Sequence, residues 1–184
     1  MEIGILFADV RGYTSMAESR PLEEVARLLN RFHAVATDVL CKRDALIDKL
    51  VGDEVMALFL TGFTGPGCFD KMAAAAEGIL RSVGYGSREA PWLPLGIGID
   101  FGLAFVGNVG SGEVKDFTAL GDVVNTAARL QAEAKAGQIV MSERVYQAVS
   151  ERFPEALAVE MTLKGKSEPV AARVIDLAAR PVTA

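Results

Sequence analysis

The order of short and long apolar segments constrains the fold of this chain more than any other feature. Short apolar runs at residues 3–10, 45–50, 55–60, 95–101, 103–109 and 114–119 have the length of strands, and glycine-containing turns separate several of them. Apolar residues recur at helical spacing over residues 21–40, 69–83 and 122–136. This order predicts an α+β fold with a ferredoxin-like βαββαβ core, a mostly antiparallel sheet and helices on one face.

The rest of the chain extends this core with further α and β elements. Residues 138–141, 159–163 and 170–177 are predicted strands, and Ser142 is a predicted cap for a short helix over residues 143–149. We expect hairpins around residues 51–54 and around Gly102, and loops over residues 61–67 and 84–94. All 184 residues are predicted to form a single domain.

Composition narrows the classes of partner. The chain is 51% hydrophobic with a mean hydropathy of +0.27, which is enough for a real core, and its net charge is -5. An acidic chain is a poor match for nucleic acid, because duplex binding depends on clustered Lys and Arg. No secretory leader and no membrane-inserting segment is predicted, and we expect a cytoplasmic domain. The abrupt first strand suggests a domain taken from a longer protein, which could itself be membrane-anchored.

Two aspartates stand at the ends of predicted strands. Asp9 ends the first strand, and Asp53 lies in the turn of the next hairpin. Two carboxylates that converge there would offer the hard oxygen ligands that Mg²⁺ or Mn²⁺ requires. Asp is also common in turns, because it caps them and tolerates unusual backbone angles. The pair alone therefore does not decide between a metal site and ordinary turn residues. The backbone of residues 11–14 leads into a helix and could cradle a phosphate.

Asn125 and Arg129 lie four residues apart on a predicted helix and therefore share one face. Arg can meet a phosphate with two parallel hydrogen bonds, and Asn offers both a donor and an acceptor to a ribose. A solvated helix face is the simpler alternative. Lys49 and Lys164 would be ordinary surface residues if they were considered singly.

Taken together and in order, four motifs resemble the catalytic domain of class III adenylyl and guanylyl cyclases over residues 3–176. They are FADVRGYT at residues 7–14, KLVGDEVMA at residues 49–57, FTALGDVVNTAARL at residues 117–130 and LKGK at residues 163–166. The resemblance implies the class III cyclase fold. It also implies a homodimer in which each site draws the metal-binding aspartates from one chain and the remaining groups from the other.

The resemblance also implies a role for each matched residue. Asp9, Asp53 and the carbonyl of Val10 would bind two divalent metal ions, Mg²⁺ or Mn²⁺, and Gly12, Tyr13 and Thr14 would lie along the phosphates of the substrate. Lys49 and Thr118 would bind the purine, Asn125 would orient the ribose, Arg129 would stabilise the transition state at the α-phosphate, and Lys164 would hold the β- and γ-phosphates.

The purine-binding pair favours ATP as the substrate, and hence adenylate cyclase activity that yields cyclic AMP. Lys can donate to an adenine ring nitrogen and Thr can accept from the 6-amino group. Guanylyl members typically carry Glu and Cys at these places, where this chain has Lys49 and Thr118. A guanylate cyclase and a catalytically silent domain that only binds nucleotide or dimerises are the alternatives. A diguanylate cyclase is disfavoured, because the turn around Asp53 lacks a GG[DE]EF-type motif.

Overall fold

A computed structural model describes residues 1–111 and 114–178 of the chain. The strands in chain order are β1 (Glu2–Val10), β2 (Leu46–Val51), β3 (Glu54–Leu60), β4 (Leu95–Leu103), β5 (Phe105–Ser111), β6 (Val114–Leu120), β7 (Gln138–Ser142), β8 (Leu157–Met161) and β9 (Val170–Asp176). The helices are α1 (Tyr13–Ser19), α2 (Leu22–Cys41), α3 (Thr61–Thr64), α4 (Cys68–Ser82), α5 (Asp122–Glu133) and α6 (Glu143–Val149).

The main sheet confirms the predicted ferredoxin-like core. Its order is β2-β3-β1-β4-β7-β9-β8, and the first four of these strands pair antiparallel. β7 pairs parallel with β4, and β9 and β8 then extend the sheet in antiparallel pairs. The N-terminal strand β1 therefore lies near the middle of the sheet, where neighbours on both sides fix its register.

Helices cover both faces of the sheet, so the prediction of helices on one face was wrong. Because side chains alternate along a strand, Leu6, Ala8 and Val10 of β1 join the core formed with α2 and α4. Ile3, Ile5 and Phe7 point the other way and pack with Val123 and Ala127 of α5. The sequence of α5 reads as an ordinary amphipathic helix, and its periodicity does not specify which face of the sheet it covers.

Glycines in β4 bring α5 close to the sheet. A Cβ atom added to Gly98 would lie 2.6 Å from the Cα atom of Gln131 and still closer to other backbone atoms of α5. At Gly96 the added atom would lie 2.8 Å from the carbonyl oxygen of Ala134. Only a strand without side chains at these positions allows this contact between helix and strand backbones.

Three local predictions were wrong. Residues 61–67 are not a loop, because Thr61–Thr64 form a helical turn in which the Thr64 hydroxyl donates to the carbonyl of Leu60 (3.0 Å), and a 3-10 turn over Gly65–Gly67 follows. β4 runs straight through Gly102 and does not pair with β5, which forms a separate two-stranded sheet with β6. Ser142 precedes α6, but its side chain makes no capping hydrogen bond.

Across the described residues, 1–111 and 114–178, no helix has the length and apolar character needed to span a bilayer.

Candidate nucleotide and metal site

Asp9 and Asp53 meet at one end of the main sheet. Asp9 is the penultimate residue of β1, and the pairing of β1 with β3 sets it opposite Glu54, directly after Asp53. The amide of Val10 donates to the carbonyl oxygen of Asp53 (3.2 Å), which ties the hairpin turn to the end of β1. A cavity of about 280 Å³ opens here, lined by Asp9, Val10, Arg11, Gly12, Tyr13, Thr14 and Asp53.

Burial and neighbouring negative charge raise the pKa of Asp9 and of Glu54 at this cavity. Burial is the main cause that raises the pKa of Asp9, the negative charge of Asp53 adds to it, and the hydrogen bond from Arg11 opposes it. Burial also raises the pKa of Glu54, and the charges of Asp9 and Asp53 act in the same direction. The negative charges at this site are thus incompletely balanced, which favours a bound cation.

Arg11 and Gln131 hold the Asp9 carboxylate in place. Arg11 forms an ion pair with Asp9, and the same guanidinium donates to the carbonyl oxygen of Ala134 (3.4 Å) just after α5. Gln131, a buried residue of α5, donates to the same oxygen of Asp9 (3.2 Å). Neither contact was predicted. The contact from Gln131 joins residues 122 positions apart, and the contact from Arg11 depends on the direction of its side chain.

Gly12 turns the chain from β1 into α1. Its φ of 73° is in the left-handed region that favours glycine, and its carbonyl accepts from the amide of Met16 (3.0 Å). This turn brings the start of α1, with Tyr13 and Thr14, to the wall of the cavity beside Asp9. The structure thus gathers all the predicted residues of the first motif around a single opening.

Lys49 and Thr118 lie together at a second place on the chain. The Lys49 amine donates to the Thr118 hydroxyl (3.1 Å), although β2 and β6 belong to different sheets. Asp48 and Asp116 flank the pair: the Lys49 amine lies 3.1 Å from a carboxylate oxygen of Asp48 and 2.7 Å from one of Asp116. The hydrogen bond to Asp116, followed by that to Asp48, raises the pKa of Lys49.

The two acidic neighbours of this pair were not predicted to belong to the site. Asp48 directly precedes Lys49 in β2, and its side chain is fully buried, at 0% exposure. One sequence feature could have indicated Asp48: it is an acidic residue inside a predicted strand. A carboxylate is rarely buried without a partner, so such a residue is expected to have one nearby.

Arg129 and Lys164 are near each other at a third place. Arg129 of α5 approaches the turn at Gly165, where an added Cβ atom would lie 3.2 Å from its guanidinium. Lys164 is exposed in this turn, next to Gly165, and Lys166 is ion-paired with Asp122 at the start of α5. Asn125 is exposed one turn before Arg129 on the same helix. Asn125 and Arg129 on one face of α5, together with Lys164 in the β8–β9 turn, therefore form a set.

The predicted site residues thus fall into separate sets within one chain. The cavity at Asp9 and Asp53 is lined by none of Lys49, Thr118, Asn125, Arg129 and Lys164. Among the described residues, no group of three or more His, Cys, Asp or Glu side chains is arranged to hold a metal ion. Two carboxylates can still suffice for Mg²⁺, which commonly completes its coordination with water and substrate phosphates.

Comparison with known proteins identifies the family of the chain. The adenylate and guanylate cyclase catalytic domain matches residues 1–174. An adenylate cyclase of Anabaena cylindrica is 34% identical over 179 residues, which cover 90% of this chain and 35% of that protein. The chain spans about a third of the length of the curated relatives it matches.

Solved structures of cyclases share the fold. The guanylyl cyclase Cya2 superposes with a TM-score of 0.83 at 29% identity, covering 95% of this chain and 91% of that one. The adenylyl cyclase CyaB of P. aeruginosa superposes with a TM-score of 0.76 at 28% identity, covering 100% of this chain and 97% of that one. The match to the family over almost the whole chain, together with these structures, means that the chain belongs to the adenylate and guanylate cyclase catalytic domain family.

Proposed function

We propose that this domain is an adenylate cyclase, which converts ATP to 3′,5′-cyclic AMP and pyrophosphate. The ribose 3′ oxygen would attack the α-phosphate, and pyrophosphate would leave. The observation that carries the choice of ATP is the contact between Lys49 and Thr118 (3.1 Å). A lysine amine can donate to an adenine ring nitrogen, and a threonine oxygen can accept from the 6-amino group.

The cavity at the end of β1 would hold the metal ions and the phosphates. Asp9, Asp53 and the carbonyl of Val10 would hold two divalent ions, Mg²⁺ or Mn²⁺, and the incompletely balanced charge of Asp9 and Glu54 fits such a role. When bound, such ions lower the pKa of a coordinated hydroxyl group and offset phosphate charge. Gly12, Tyr13 and Thr14 would lie along the phosphates, since they line the same cavity.

The set on α5 and the β8–β9 turn would serve the reacting end of the nucleotide. Asn125 would orient the ribose, and Arg129 would stabilise the charge that builds on the α-phosphate oxygens. Lys164, exposed close to Arg129, would hold the β- and γ-phosphates. Among the described residues, neither Arg129 nor Lys164 is engaged in an ion pair, so both cations are free to meet a phosphate.

We propose that two copies of the chain build each site. One copy would supply Asp9 and Asp53, and its partner would supply Lys49, Thr118, Asn125, Arg129 and Lys164. The separation of these sets within one chain supports this arrangement. A symmetric homodimer would then contain two complete sites.

Guanylate cyclase activity is the second candidate, favoured by the similarity to the guanylyl cyclase Cya2 at 29% identity. The Anabaena adenylate cyclase and the P. aeruginosa adenylyl cyclase favour the first. The experiment that separates them measures cyclic nucleotide formation with ATP and with GTP separately, in Mn²⁺ and over a range of protein concentrations. We expect cyclic AMP from ATP, with specific activity rising as the protein dimerises. A demonstrated dimer that forms no cyclic product would instead favour the catalytically silent alternative.

A mixing experiment tests the shared site. Asp9→Ala and Arg129→Ala should each be inactive alone, because every site in either homodimer lacks a needed group. In the heterodimer, one site combines the intact aspartates of one chain with the intact arginine of the other. We therefore expect partial recovery of activity on mixing, and no recovery in a mixture with demonstrated heterodimers would contradict the shared site.

A further inference from the structure

We propose that Asp48 selects the purine by fixing the direction of the hydrogen bond that Thr118 can make to it. This inference rests on the proposed function and assigns Asp48 as a positioning residue for the base-binding pair. Asp48 itself need not touch the nucleotide.

The geometry joins three polar side chains in a closed triangle. The Thr118 hydroxyl donates to a carboxylate oxygen of Asp48 (3.0 Å), and the Lys49 amine lies 3.1 Å from the same oxygen. The third side is the bond from the Lys49 amine to the Thr118 oxygen (3.1 Å). The Asp48 side chain is fully buried, at 0% exposure, so water does not compete for these bonds.

The number of available protons gives the triangle a direction. An ionised carboxylate can only accept, and a lysine amine can only donate. The single hydroxyl proton of Thr118 therefore points to Asp48, and one lone pair of its oxygen accepts from Lys49. Only the remaining lone pair can face a ligand, so Thr118 can accept a hydrogen bond from the base but cannot donate one. The 6-amino group of adenine satisfies this requirement, whereas the 6-oxo group of guanine or hypoxanthine does not.

A carboxylate at residue 48 is not explained by the stability of the chain. Its second oxygen is buried and has no hydrogen-bond partner among the described residues. An unpaired buried acceptor costs free energy, and an apolar residue of similar size would avoid that cost. The carboxylate does have a clear effect on Thr118, which no apolar residue could provide.

The competing explanation is that Asp48 is only a negative charge beside Lys49. Asp116 serves as the matched control, since its carboxylate lies 2.7 Å from the same amine. Asp116 is largely exposed, at 58%, and no hydrogen bond joins it to Thr118. Removing Asp116 therefore removes a charge from Lys49 without freeing the threonine proton.

The experiment compares ATP with inosine triphosphate, which has a 6-oxo group and lacks the extra 2-amino group of GTP. The readout is the ratio of kcat/KM for the two nucleotides. Asp48→Ala should lower this ratio at least about tenfold, because the freed Thr118 hydroxyl can then donate to a 6-oxo group. Asp48→Asn should largely keep the ratio, since its amide oxygen can still accept the threonine proton, and Asp116→Ala should keep it as well.

Two outcomes would overturn the proposal. An unchanged ratio in Asp48→Ala would show that Thr118 needs no fixed direction, and equal losses in all three variants would show that only charge matters.

Thermal unfolding checks each variant, and Asp48→Val, which suits a strand, replaces Asp48→Ala should the latter fail to fold. A wild-type domain that binds nucleotide without turnover would contradict the proposed activity alone. The ratio of the affinities for ATP and inosine triphosphate, measured by displacement of a fluorescently labelled ATP, would then decide the role of Asp48.

Discussion

Arg11 compensates part of the charge of Asp9. It forms an ion pair with Asp9 and also donates to the carbonyl oxygens of Ala132 (3.5 Å) and Ala134 (3.4 Å). Both partners of the ion pair are largely buried, at 23% exposure each, so the interaction is less screened than one at the surface. Arg11 therefore contributes to folding and opposes cation binding at the same place.

Replacing Arg11 separates these two effects. Arg11→Gln should lower the free energy of unfolding by about 1–3 kcal/mol in chelator, because Asp9 loses its charged partner. Mn²⁺ should then stabilise the variant more than the wild type, since no guanidinium opposes the ion. Urea unfolding with and without Mn²⁺ measures both. Arg20→Gln is the control, because its ion pair with Glu24 is exposed (47% and 36%) and should contribute little.

At the level of residues, the sequence predicted the candidate ligand-binding groups better than the residues that support them. The structure brings together Asp9 and Asp53, and also Lys49 and Thr118, as the four motifs implied. The contact from Gln131 to Asp9 was not predicted, because it spans 122 positions. Such a contact depends on how α5 packs on β4, and local sequence patterns carry no information about that packing.

Among the elements, β4 and α5 form the contact that depends most on glycine. Gly98→Ala should lower the free energy of unfolding by about 2 kcal/mol or more, since its Cβ would lie 2.6 Å from the Cα atom of Gln131 and α5 would have to move. Gly102→Ala in the same strand is the control, because its nearest neighbour would be Val123 at an ordinary 3.4 Å. Chemical unfolding of both variants tests the difference, and equal losses would contradict the close contact at Gly98.

The same glycines explain why the hairpin around Gly102 was wrongly predicted. A glycine between two apolar runs is typical of a turn. In β4 the glycines at 96, 98 and 102 alternate with apolar residues that pack on the opposite face, and this alternation belongs to one strand covered by α5. Only the position of α5, unknown from the sequence, distinguishes the two interpretations.

Glu77 links α4 to the segment after α6 and gives the fold a pH dependence. Burial alone would raise its pKa, but hydrogen bonds from Arg81 (2.7 Å) and Arg152 (2.7 Å) outweigh burial and lower the pKa below the ordinary 4.5. A lowered pKa stabilises the folded chain above the ordinary value, and this contribution is lost as the pH falls through the folded value.

Glu77→Gln should therefore cost about 1 kcal/mol near neutral pH, a modest value because both arginines are partly exposed. The difference from the wild type should shrink as the pH falls from about 5 to about 3. Urea unfolding across this range measures it. Glu18→Gln, at an exposed position in α1, is the control and should behave as the wild type does. A difference that stays constant with pH would contradict the role of Glu77.

For the whole molecule, the small β5–β6 sheet carries exposed apolar side chains that a second copy would cover. Phe105 and Leu120 lie opposite each other in register and are 57% and 50% exposed. Phe105→Glu should weaken dimerisation at least about tenfold and shift the rise of specific activity to higher protein concentration. Sedimentation equilibrium measures the first and cyclase assays the second. Phe63→Glu, at an equally apolar position exposed by 75% on α3, should change neither.

The helix α5 contacts the aspartate set of the proposed site and also carries part of the set that would bind the ribose and the α-phosphate. Gln131 donates to Asp9 of its own chain, and the carbonyl oxygens just after it accept from Arg11, the ion-pair partner of Asp9. Asn125 and Arg129 lie on the same helix and would serve the partner's substrate. Because α5 packs so closely on β4, we expect the helix to move as a unit. A nucleotide that pulls on Arg129 in one site would therefore shift Asp9 in the other. In a homodimer the two sites would be thermodynamically linked, and nucleotide binding would be cooperative, with a Hill coefficient different from one.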